Sequence, residues 1–138
     1  MKTDFVDAQQ RHWQDAELLF NQQRWANADH LYGFSAECGL KALMQIFGME
    51  WDESKQKPKN DKDTKHADKI WDRYSTYQSG HVSGTGFELP DSNPFDNWNA
   101  SQRYAHRNVF HQNLVNSHKS GANNVCQLIK KAQLDGLL

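Results

Sequence analysis

A chain of 138 residues and 16.0 kDa has room for one hydrophobic core. Its composition is 37% hydrophobic and 12% aromatic, with five tryptophans at a mean hydropathy of -0.94, which excludes a disordered chain and a bilayer-spanning one. The balance of 16 basic against 17 acidic residues excludes a polybasic nucleic-acid tail, yet no Asp or Glu lies between Asn97 and Leu134, where Arg103, Arg107, Lys119, Lys130 and Lys131 gather. Such asymmetry fits either a polyanion site or a helix lying against acidic neighbours.

The start, Met1 to Phe5, has no apolar leader, so a cytoplasmic protein without membrane contact is expected. From Asp4 to Gln23, Phe5, Ala8, His12, Ala16, Leu19 and Phe20 recur at three- and four-residue steps, which predicts an amphipathic helix capped by Thr3 or Asp4. A second helix is predicted from Trp25 to Gly48, apolar on most sides over Leu40–Phe47 and therefore the most buried. Residues 50–64, charged and broken by Pro58, read as a mobile solvated connection.

A third, shorter helix is expected from Lys65 to Tyr77, with His66, Ile70, Trp71, Tyr74 and Tyr77 on one stripe. The glycine- and proline-bearing segment 79–95 reads as a long irregular loop packed down by Phe87, Leu89 and Phe95. Asn99 and Gln102 have the form of a capping box, so the fourth helix is expected to start there and run to Gln133, bent near Gly121. Together these elements predict a single domain over residues 1–138, an all-α antiparallel up-down four-helix bundle with two long loops. Cys38 and Cys126 lack a C-x-x-C partner and read as reduced thiols, and no metal or other cofactor is expected.

On that fourth helix Arg103, Arg107 and His111 would form one column four residues apart, with His118 near its continuation. Guanidinium groups hold phosphate bidentately, and a neutral imidazole beside them takes a proton from a ribose 2′-hydroxyl. Candidate catalytic residues are thus Arg107, His111, Arg103 and His106; candidate nucleic-acid contacts are Arg103, Arg107, Asn108, His118 and Lys119. In the structural alternative His111 and His118 are core histidines, and the arginines pair with acids such as Glu37 or Asp29 of the second helix.

The residues Ala16–Ala26 leading into Tyr32-Gly-Phe-Ser-Ala36-Glu37-Cys38-Gly-Leu40-Lys41-Ala42-Leu43 resemble the first two helices of the HEPN domain, in which a D-A-x-x-L pattern precedes A-x-x-x-x-G-F-A-A-E-x-x-L-K-A-L. Residues 66–71 and 98–111 resemble its third helix and the start of its fourth. The resemblance implies a four-helix bundle, a homodimer packed through the later helices, and a tie to RNA, to toxin-antitoxin or defence systems, and to a nucleotidyltransferase-like protein partner. Nuclease relatives carry an Arg, a polar residue and then a His at an interval of four to six residues; here only three residues separate Arg107 from His111. Two functions follow: an RNA- or nucleotide-binding module, or a metal-independent endoribonuclease.

Overall fold

The computed structural model describes all 138 residues and shows four α-helices as an all-α bundle, with one very small hairpin. Helix α1 (Phe5–Asn21) begins where the Asp4 carboxylate accepts the Val6 and Asp7 N–H groups, so the nearer of the two expected caps is used. Gln23, at φ 61, turns the chain into α2 (Trp25–Ile46), and Gly48, at φ 102, ends it. Helix α2 packs against α1, α3 (Ala67–Ser79) and α4 (Gln112–Leu134). Leu40, Leu43 and Phe47 are accordingly buried. No helix is long and apolar enough to cross a membrane.

Two expectations need correction. Residues 50–64 are not a loose connection: strands β1 (Trp51–Asp52) and β2 (Lys57–Pro58) pair antiparallel, and a 3₁₀ turn over Asp61–Thr64 follows. That turn buries Asp63 completely, where its carboxylate accepts Arg73 Nε at 2.7 Å and Tyr77 Oη at 2.5 Å from α3. A charge that composition reads as solvated is instead the anchor of the segment.

The fourth helix starts at Gln112, not Asn99. The capping box is present, with Asn99 Oδ1 accepting Ser101 N at 2.8 Å and Asn99 N donating to Gln102 Oε1 at 3.2 Å. It caps only a 3₁₀ turn over Ala100–Tyr104. A second 3₁₀ turn, Arg107–Val109, follows, and Ala105, His106, Phe110 and His111 are extended between and after them. Tertiary anchoring explains the irregular path: the Trp98 indole lies where a Cβ on Gly33 would come within 2.0 Å of it, and Phe110 is also buried. Residues 97–111 therefore form a strap held across the first turns of α2 by side chains. Helix α4 runs unbroken through Gly121, whose missing side chain admits Pro94 and Phe95 rather than a bend.

Candidate nucleic-acid interface

The strap and the start of α2 enclose a cleft of about 750 Å³. Arg24 and Asn27 line it from α2's side; Arg103, Tyr104, His106, Arg107 and Asn108 line it from the strap. No Asp or Glu lines it, and none of the three arginines takes part in an ion pair. Arg103 Nη1 donates to the Ala100 carbonyl at 2.7 Å, and its guanidinium lies 4.6 Å above the centre of the Tyr104 ring, which is 78% exposed. The cleft thus presents uncompensated, partly pre-set cations beside an open aromatic face.

With the helix broken, the expected column of Arg103, Arg107 and His111 does not form. Arg103, Arg107, His106 and Asn108 nevertheless meet at the cleft, whereas His111 lies outside its lining as the N-cap of α4, its Nδ1 accepting Leu114 N at 3.4 Å. His106 Nδ1 likewise accepts Asn108 N at 3.2 Å. A ring nitrogen that accepts a backbone N–H carries the lone pair, so the neutral ring keeps its hydrogen on Nε2. Both histidines therefore offer a donor to a phosphate oxygen and no lone pair to a hydroxyl proton.

His118 and Lys119 are elsewhere. His118 is 1% exposed, with Nδ1 2.5 Å from Asp29 Oδ1, Nε2 2.8 Å from Asn97 Oδ1 and the Phe95 ring stacked on it, so no ring nitrogen remains for a phosphate. Lys119 lies 3.4 Å from Glu17 and over the Phe20 ring. The acids once matched with the arginines have other partners: Asp29 also accepts Gln102 Nε2 at 2.6 Å, and Glu37 accepts Lys41 Nζ at 2.7 Å while its other oxygen meets His66 Nδ1 at 3.0 Å. Burial pushes the Cys38 thiol up to about 12 and the Cys126 thiol up to about 11, so both stay protonated.

Arg24 and Tyr104 escaped the sequence reading. Arg24 precedes α2 with no charge pattern around it, and Tyr104 stands seven residues before His111, where helical spacing reads it as an apolar packing position. No family model, curated protein or solved structure matches the chain.

Proposed function

We propose that the protein is an RNA-binding module that seats the phosphates of a single strand on Arg24, Arg103 and Arg107. The observation that carries this reading is the cleft's charge: three arginines, one histidine and no carboxylate. Phosphate neutralisation supplies most of such affinity, and an unpaired guanidinium contributes it without first breaking an internal ion pair. Exposed Tyr104, with Arg103 over its far face, offers a stacking surface for an unpaired base, which favours a single strand over a duplex. Asn27, Asn108 and His106 Nε2–H add further donors.

The second reading is metal-independent RNA cleavage with His111 or His106 as the base. The committed Nδ1 atoms of both rings favour binding instead. The likeness of α1 and α2 to HEPN helices agrees with an RNA-linked module, and pairing with a second copy or with a nucleotidyltransferase-like protein belongs to the same proposal. Fluorescence anisotropy with a short single-stranded RNA tests it. Arg107→Ala should weaken binding roughly tenfold, the ~1.4 kcal/mol of one charged contact, and Tyr104→Ala should narrow the preference for single strand over duplex. Parent protein that leaves the RNA free would end the proposal.

A further inference from the structure

The seven histidines differ in which ring nitrogen is free. Nδ1 of His81, His106 and His111 each accepts a backbone N–H, which places the hydrogen of the neutral ring on Nε2. His118 has both nitrogens engaged and is buried; His12 and His30 have no carboxylate partner. Among the histidines with an exposed ring, His66 alone has Nδ1 on a carboxylate, that of Glu37 at 3.0 Å, with half its side chain open to solvent. Its Nε2 therefore carries an outward lone pair.

The support behind it is buried and hydrogen-bonded. Glu37 is 10% exposed at the side chain, and Lys41 Nζ holds its other oxygen at 2.7 Å. The Phe34 ring stands edge-on to the imidazole, 5.9 Å away. Asp68 on α3 and His30 on α2 are further charged and titratable groups near it. Lys65 and Lys69, which take part in no ion pair, flank His66 along the chain.

We propose that His66 is a phosphoryl-accepting nucleophile, modified on Nε2 by a small acyl phosphate. The Nε2 lone pair attacks phosphorus, the N–P bond forms, and the P–O bond to the acyl group breaks, its electron pair leaving with the carboxylate. No proton moves: the Nδ1 hydrogen stays in place, and Glu37 balances the positive charge the ring acquires. Lys65 and Lys69 attract the dianionic donor. The Glu37 hydrogen bond, opposed by partial burial, raises the pKa of His66, so the free lone pair grows in as pH rises through that value.

Acetyl phosphate is the probe, with tandem mass spectrometry for position and ³¹P NMR for the acid-labile N–P bond. One phosphoryl group on His66 is expected, with His106 and His111 unlabelled although both are exposed. His66→Ala should take none, and Glu37→Gln should slow labelling roughly tenfold or more, the effect of removing the partner that fixes a histidine's tautomer. The rate in the parent protein should climb with the His66 titration followed by NMR. The proposal is overturned if His66 stays unlabelled, or if His106 and His111 react as fast in the same parent protein, a comparison that requires no variant to fold.

Discussion

From Asn97 to Gln102 the strap is tied to Asp29: its carboxylate meets the His118 imidazole and the Gln102 amide, and its backbone carbonyl accepts Trp98 Nε1 at 3.1 Å. From Arg103 to Asn108 the same strap carries two arginines and a histidine that find no carboxylate at all. One stretch uses charge to close the structure and the next leaves charge open to solvent. Buried charge persists only when paired and hydrogen-bonded, whereas exposed, unpaired charge contributes little to folding and is available for a ligand. The closed part thereby positions the open part.

The largest effect should come from the closed side. His118→Ala leaves the buried Asp29 carboxylate without its imidazole partner, and should cost about 3–5 kcal/mol in urea unfolding; a loss under about 1 kcal/mol would mean that the Asp29 hub does not hold the strap. Next is the close approach at Gly33. Gly33→Ala would set a Cβ 2.0 Å from Trp98, displace the indole and cost about 1–3 kcal/mol, with reduced RNA affinity as the strap shifts. Unchanged Trp fluorescence and stability in that variant would show that the strap is not wedged there.

Much of α1, α2 and α3 is legible in the sequence, because apolar spacing and local signals such as Asp4 and Gly48 operate within a few residues. The strap was not legible for the opposite reason. Asn99 and Gln102 cap a turn of 3₁₀ helix as well as they cap an α-helix, and Tyr104 keeps a seven-residue step to His111 although it is 78% exposed. What decides the path is Asp29, which meets Gln102 and His118 across 73 and 89 residues of chain. No local pattern carries that information. The arginines were found by composition, but their meeting with Arg24 follows only from the fold.

A smaller effect separates the histidines by pH. His66, its pKa raised by Glu37, binds its proton more tightly in the folded chain, so its contribution is complete below the unfolded value of about 6.5 and fades as pH climbs through the raised one. Burial lowers the pKa of His30, with Arg103 adding to the shift, so acid costs stability there as the unfolded chain takes up the proton first. Thermal melting should therefore show His66→Ala more harmful at about pH 5.5 than at about pH 8.5, and His30→Phe relatively more favourable at the lower pH. Solvent around the half-exposed His66 keeps its share small. Identical pH profiles for both variants and the parent would contradict these assignments.

The most direct measurement is the salt dependence of single-stranded RNA binding for the parent protein and for a chain with Arg24, Arg103 and Arg107 all changed to Ala. Open, unpaired arginines predict binding that weakens with salt in the parent, and a slope of log affinity against log salt smaller by about two in the triple variant, near 0.7 for each lost phosphate contact. The melting temperature should stay close to the parent's, since no ion pair is broken. Equal slopes and affinities in the two proteins, or a triple variant that melts far below the parent, would contradict a cleft whose charge is kept for a ligand.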